Sequence, residues 1–193
     1  MKSVLKTLFQ SIAIASGLLA PGLSAAAGES IGAATFNEQG ELVLPKGFRE
    51  WVFIGAPLTP NGLNNGKAGF PEFHHVYVNP DAFAVYQRTG EFPDGTVIAK
   101  ELVLLQKGEF EDGSKKAPSG RGYFAGEFHG MDVMVKDSQR FKAGNGWGFF
   151  NFGHHAPPYA TSARAATAET CSGCHSANAG KGMVFKMYYP VLR

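Results

Sequence analysis

Residues 94–105 read Asp-Gly-Thr-Val-Ile-Ala-Lys-Glu-Leu-Val-Leu-Leu, which places a turn signal directly before a run of β-prone residues. Asp-Gly favours a tight turn, and the valine, isoleucine and leucine residues after it favour an extended strand. Side chains alternate between the two faces of a strand, so Lys100 shares a face with Ile98 and Leu102. The stretch therefore predicts a strand over residues 96–105 with a lysine on an otherwise apolar face, where a charged amine is costly.

Five other segments have a similar composition and are bounded by Gly, Pro or Asn, as antiparallel strands are. They are residues 41–44, 51–54, 73–78, 123–135 and 147–152.

Helical signals are fewer in the sequence. Pro80–Thr89 predicts a helix with Asn79 as its N-cap, and the alanine-rich residues 159–171 predict a second helix. Residues 109–121, with two glycines and a pair of lysines, predict an exposed loop. The predicted fold class is α+β in one domain, mainly an antiparallel β-sheet with a few helices.

The first 27 residues have the pattern of a cleaved secretory signal peptide. Lys2 and Lys6 precede an apolar stretch over residues 8–20, and the small residues 25–27 follow. We therefore expect residues 28–193 to form the exported protein, in the periplasm. No later segment approaches the roughly 18 apolar residues that a membrane span requires.

The composition and charge of the chain limit the classes of partner that it is expected to bind. The chain has 193 residues, 44% of them hydrophobic, and its 16 phenylalanines supply a core or a large apolar pocket. Cleavage after residue 27 removes two lysines and no acid, which leaves equal numbers of basic and acidic residues. A neutral chain argues against nucleic acid as a partner, since phosphate binding needs clustered positive charge.

The strongest motif is Cys171-Ser172-Gly173-Cys174-His175, the C-x-x-C-H attachment signature of a c-type haem. Its thiols form thioethers with the haem, and the histidine is an axial ligand of the iron. A disulfide closing so short a loop would stabilise little, and a zinc site would need two more ligands. A redox-active cysteine pair remains the alternative to haem c.

The motif lies near the C-terminus, since only 18 residues follow His175. Met183 and Met187 are the methionines among them, in a stretch over residues 183–189 whose composition predicts a strand. We interpret both as core residues. The second axial position of the iron is then open, as in haem proteins that bind ligands or catalyse reactions.

Several runs of the chain resemble the cytochrome P-460 family. They are GELVLPK (40–46), REWV (49–52), NNGKA (64–68), GEFPDGTV (90–97), VKDSQRF (135–141) and YPVLR (189–193). The resemblance implies a periplasmic mono-haem protein of the kind found in ammonia- and methane-oxidising bacteria, mainly β-sheet and usually homodimeric, that oxidises hydroxylamine. In this family a lysine nitrogen is also bonded to a meso carbon of the porphyrin.

The resemblance also assigns site residues. Lys100 matches the cross-linked lysine. Lys67 is a second lysine that could reach the haem, but it lies in a predicted turn, where its side chain is expected to be solvated. Asp132 matches the pocket carboxylate that accepts protons, a position where the family often has Glu. Phe73 and His74 match residues that border the haem.

Two pairs of adjacent histidines need separate interpretations. His74 and His75 lie on a predicted strand, where neighbours point to opposite faces, so at most one of them faces the iron. His154 and His155 are expected on a surface loop without a metal.

The implied function is oxidation of hydroxylamine to nitrous oxide or other nitrogen oxides on the open face of the haem iron, opposite His175. Asp132 would accept protons, Lys100 would alter the macrocycle, and a small cytochrome would take the electrons. One alternative is the related β-sheet cytochrome of the c-prime type, which lacks the lysine link and binds nitric oxide without catalysis under a phenylalanine such as Phe70 or Phe73. A plain electron carrier is the other alternative.

Overall fold

The computed structural model describes residues 32–107, 118–120 and 122–193. The predicted signal peptide lies outside the described residues, as does most of the loop predicted over residues 109–121. In chain order the strands and helices are β1 Leu42–Val43, β2 Val52–Gly55, β3 Phe73–Val78, α1 Pro80–Thr89, β4 Val97–Lys107, β5 Tyr123–Lys136, β6 Trp147–Asn151, β7 Ser162–Ala163 and α2 Gly173–Asn178. The predicted α+β class, dominated by antiparallel strands, is confirmed.

The main sheet has five strands in the order β2-β3-β4-β5-β6, and each strand is antiparallel to its neighbours. The short strands β1 and β7 form a separate antiparallel pair. In the main sheet Lys100 of β4 lies opposite Asp132 of β5, and Asp132 in turn lies opposite Asn151 of β6. Directly opposed residues share a face of the sheet, so these three side chains project to the same side.

The sheet separates two apolar clusters. One contains Val76, Val78 and Ile98 and packs against α1 and the C-terminal segment. The other contains Val97, Ala99 and Val133 and packs against the β1–β7 pair. We call the first side the Lys100 face, with His74, Lys100, Asp132 and Asn151, and the second the Glu101 face, with Phe73, His75, Tyr77 and Glu101. The alternation predicted for β4 is therefore confirmed.

Helix α1 begins and ends where the sequence predicts, but Asn79 does not cap it through its side chain. The amide nitrogen of Asn79 donates to the Gly95 carbonyl at 3.2 Å, and its amide oxygen accepts from the Val97 backbone at 2.8 Å. Asn79 thus joins the start of the helix to the start of β4. In the ranges described, no helix has both the length and the apolar character to cross a bilayer.

The helix predicted over residues 159–171 is wrong for most of its length. Residues Ser162–Ala163 instead form β7, paired with β1. The Ser162 hydroxyl and the Arg164 guanidinium donate to the Glu41 carboxylate at 2.7 and 3.0 Å, which fixes the extended conformation. These contacts outweigh the weak helical preference of the alanines. Helical structure begins only with a π-helical turn over Ala168–Ser172, which leads into α2.

The strand predicted over residues 183–189 is also wrong, because Lys186–Tyr188 form a 3₁₀ turn. Phe185 and Tyr188 stack with ring centroids 5.1 Å apart, and side chains three residues apart align in this type of turn. Met183 is 4% exposed and belongs to the core as expected, but Met187 is 71% exposed and does not.

An ion pair between the buried Glu101 and the half-exposed Arg49 fixes β4 from the Glu101 face. The Glu101 carboxylate is fully buried and accepts from Arg49 at 2.9 and 2.6 Å and from the Tyr159 hydroxyl at 3.0 Å. Burial and the neighbouring carboxylate raise the pKa of Tyr159, so it remains a hydrogen-bond donor at neutral pH.

We expect Arg49→Ala to lower the free energy of unfolding by about 2–3 kcal/mol, because it leaves a buried carboxylate without its cation. Urea denaturation of the holoprotein would measure the loss. Arg140→Ala, which removes an exposed ion pair with Asp137, should cost at most about 1 kcal/mol. Equal losses in the two variants would contradict the anchoring role of Glu101.

Candidate functional site

The attachment motif spans the junction between the π-helical turn and α2. Cys171 lies in the turn and Cys174 in the helix, and both are free thiols. Residues three apart on a helical segment project to the same side, so the two thiols can reach one flat ligand. Cys171 also packs against the apolar cluster of the Lys100 face, whereas Cys174 is exposed.

His175 is held in the orientation that a metal ligand needs. Its Nδ1 lies 2.7 Å from the Met183 carbonyl, and because a carbonyl only accepts, Nδ1 carries the proton. The remaining nitrogen, Nε2, then has a free lone pair. Phe149 and Phe185 contact the imidazole, with centroid distances of 4.7 and 5.0 Å. Burial lowers the pKa of His175, and so does the charge of Lys100, which favours the neutral, ligating form.

Lys100 lies on the same side of the sheet as Phe149, in the centre of β4. Its Nζ is 2.9 Å from Asp132 Oδ2 and 3.7 Å from the centroid of the Phe70 ring. The side chains of Lys100 and Asp132 are only 23% and 22% exposed. Lys67, the competing lysine, is exposed on a turn and makes no contact with this cluster in the described chain.

Asp132 lies at the centre of a polar cluster. Its Oδ1 accepts from the Asn151 amide at 2.7 Å, and both of its oxygens lie 3.2 Å from His154 Nε2. Burial raises the pKa of Asp132, but the charge and hydrogen bond of Lys100, together with the Asn151 amide, outweigh it and leave the pKa below its usual value. The carboxylate is therefore ionised at neutral pH.

His74 and His75 lie on opposite faces of the sheet, as the alternation of side chains along a strand predicts. The ring of His74 lies edge-on to Phe70, and its Nε2 is 3.1 Å from the Phe70 carbonyl. Burial, followed by the Lys100 charge, lowers the pKa of His74. His75 instead contacts Phe53 and Phe73 on the Glu101 face. Of the two residues matched to the haem border, His74 lies on the Lys100 face and Phe73 does not.

Sequence reasoning missed Asn151, and it placed His154 correctly on an exposed loop but missed its contact with Asp132. Both belong to the cluster around Asp132, because β6 pairs with β5 and the following chain turns back over β5. One local signal was available. A Cβ at Gly130 would lie 3.1 Å from the His154 ring and 3.0 Å from Leu102, and a glycine within a strand often marks such a close approach.

The residues of the Lys100 face fit a covalently attached haem. His175 presents an unprotonated Nε2 beside two thiols on one helical segment, and aromatic rings surround the imidazole. The amine of Lys100 and the ionised carboxylate of Asp132 lie 2.9 Å apart on the same side of the sheet. The charge of Lys100 is one of the causes that lower the pKa of His175. Thioether-forming thiols, one imidazole and an apolar lining are the donor set of haem c.

Comparison with known proteins supports the same assignment. The sequence model of the family described as Cytochrome P460 matches residues 45–186, which include all the site residues named above. A search of curated proteins found no match. Because the matched region covers well over half of the chain, the protein belongs to the cytochrome P460 family, whose members are haem proteins.

Proposed function

We propose that the protein is a periplasmic c-type haem enzyme that oxidises hydroxylamine. The observation that carries this proposal is the ionised carboxylate of Asp132, held between Lys100 and His154 on the face of the sheet that also positions His175. A redox centre that only carries electrons has no need of a partly buried base. Oxidation of hydroxylamine does, because the substrate loses protons as well as electrons.

The haem would be held by Cys171, Cys174 and His175, and it supplies the site where hydroxylamine binds and the route by which electrons leave. Two molecules of hydroxylamine give one of nitrous oxide, one of water, four protons and four electrons. Asp132 would accept the protons, since it is ionised at neutral pH and lies on the same face. The Phe70 ring lies against Lys100 and His154, the two ion-pair partners of Asp132, and would limit the entry of water there.

Lys100 would form the third covalent link, from its nitrogen to a meso carbon of the porphyrin. Its support is its position on the Lys100 face, where its side chain is 23% exposed and lies on the same side of the sheet as Phe149, the ring that contacts His175. A link of this kind changes the electron density of the macrocycle, which is one way in which a protein controls haem reactivity. A homodimer and a small cytochrome as electron acceptor complete the proposal, and they rest on the family resemblance alone.

A nitric-oxide-binding cytochrome is the second candidate, and Phe70 is the observation that favours it. The Phe70 ring contacts His74, Lys100 and His154, so it covers the polar end of the site as a phenylalanine cap would. In that case Lys100 would keep its ammonium paired with Asp132, and the reduced protein would show an ordinary c-type Soret band.

The test is turnover by the purified holoprotein. We expect hydroxylamine to be consumed with stoichiometric reduction of an artificial electron acceptor and release of a nitrogen oxide. Intact-protein mass would establish covalent haem, and nitric oxide binding to the ferric and ferrous forms would establish an open axial site. A protein that binds nitric oxide but leaves hydroxylamine unchanged would be the gas-binding alternative, and a low-spin iron that takes up no nitric oxide would indicate an electron carrier.

A further inference from the structure

His154 connects the buried carboxylate of the site to solvent. Its Nε2 lies 3.2 Å from both oxygens of Asp132, yet its side chain is 42% exposed, about twice the exposure of Asp132. We propose that His154 relays protons from Asp132 to bulk water, an assignment that rests on the proposed hydroxylamine oxidation for its substrate. It acts through Asp132 and does not touch the substrate itself.

The hydrogen bonds around Asn151 set the protonation state that a relay needs. The Gly153 backbone donates to the Asn151 amide oxygen at 3.2 Å, which turns the amide nitrogen towards Asp132 and His154. That nitrogen lies 2.7 Å from Asp132 Oδ1 and 2.7 Å from His154 Nε2, and its two hydrogens can serve one acceptor each. His154 Nε2 then accepts from the amide and carries no proton, so it can receive one from Asp132 once that carboxylate has been protonated.

The imidazole of His154 is held in place by packing as well as by hydrogen bonds. Phe70 lies edge-on to it with ring centroids 5.5 Å apart, and Gly130 leaves the space that its ring edge fills. The other ionisable groups nearby are Lys100 on β4 and His74 on β3, together with Asp132 on β5. His155, the next residue, bonds the Ala156 carbonyl through Nδ1, and its ring lies near Tyr159.

The relay moves one proton in each cycle. Asp132 takes a proton from the substrate and becomes a neutral carboxylic acid, which donates that proton to His154 Nε2. The imidazolium so formed releases its Nδ1 proton to water while Asp132 is again ionised. This leaves the ring protonated on Nε2, and proton exchange with solvent water must restore the Nδ1-protonated tautomer before the next transfer. Four such cycles remove the four protons released for each nitrous oxide formed. Without His154, Asp132 would have to lose each of these protons directly to water.

The first test compares His154→Ala with His155→Ala in the holoprotein. We expect His154→Ala to slow hydroxylamine turnover about tenfold, because the loss of a proton-transfer partner has effects of at least this order. Added imidazole should restore part of the rate, and the pH profile of the variant should differ from that of the wild type. His155→Ala should keep the rate and the profile. Equal rates in wild type and His154→Ala, or equal losses in the two variants, would overturn the proposal.

A second measurement does not depend on hydroxylamine. A proton gained by His154 adds positive charge near the haem and favours the reduced form, so the reduction potential of the wild type should fall as the pH rises. We expect His154→Ala to flatten this dependence and His155→Ala to preserve it. If the wild type does not oxidise hydroxylamine, the proposed function fails, while the potentials still decide whether His154 exchanges protons beside the haem. A potential with the same pH dependence in wild type and His154→Ala would overturn the relay.

Discussion

Asp132→Asn is expected to lower the kcat for hydroxylamine oxidation by about a hundredfold or more, because general-base catalysis commonly contributes at least that factor. The amide has nearly the shape of the carboxylate but cannot accept a proton at neutral pH. The wild-type carboxylate is ionised there, since Lys100 and the Asn151 amide hold its pKa below the usual value despite burial. Steady-state kinetics would show a fall in kcat with a smaller change in KM.

Two further variants make this result specific. Asp132→Glu keeps the base on a longer side chain and should retain substantial turnover, as expected from the glutamate that the family often carries here. Asp137→Asn removes an exposed carboxylate near the end of the same strand and should have no effect. The spectrum of Asp132→Asn must also be recorded, since a lost cross-link would lower turnover by another route. Wild-type turnover in Asp132→Asn with an unaltered spectrum would exclude Asp132 as the base.

If Lys100 carries the proposed link, Lys100→Leu is expected to abolish the strong red shift of the Soret band that such a link would cause, while both proposed thioethers remain. Leucine suits the apolar neighbours of this position on β4, Ile98 and Leu102, so the fold should persist. Visible spectra of the reduced protein would report the link, and intact-protein mass would report the retained haem. Hydroxylamine turnover should fall together with the red shift.

The effect of the positive charge of Lys100 can be distinguished from the effect of its proposed covalent link to the porphyrin. Lys100→Arg keeps a cation to pair with Asp132 but replaces the single amine nitrogen by a guanidinium, so it should also lose the red shift. Lys67→Leu, on an exposed turn, should leave the spectrum unchanged. A red-shifted band that survives Lys100→Leu would show that the assignment of this lysine is wrong.

The elements that could be predicted from the sequence are those specified by local signals. Strand β4 follows the Asp94-Gly95 turn, and helix α1 begins at Pro80 and ends before Gly90. The two wrong predictions, residues 159–171 and 183–189, lie where tertiary contacts decide the backbone. In the first the Glu41 carboxylate fixes an extended chain, and in the second stacked aromatic rings favour a 3₁₀ turn.

The site was predictable to a similar extent. The C-x-x-C-H motif is contiguous, so its residues could be read directly, whereas Lys100 and Asp132 came from the family resemblance. The structure pairs those two residues across β4 and β5. Asn151 and His154 could not be placed in the same way, because their position depends on the register between β5 and β6 and on the loop that follows.

The ion pair between buried Glu101 and half-exposed Arg49 has a consequence for electron transfer. Glu101 is fixed on one side of β4 by two Arg49 hydrogen bonds and one from Tyr159, and this holds the backbone of its neighbour Lys100. A macrocycle tied both to helix α2 and to an immobilised strand would change its geometry little between oxidation states. We therefore expect a small reorganisation energy, so that loosening Glu101 would slow electron transfer even though no atom of Glu101 faces the haem side of the sheet.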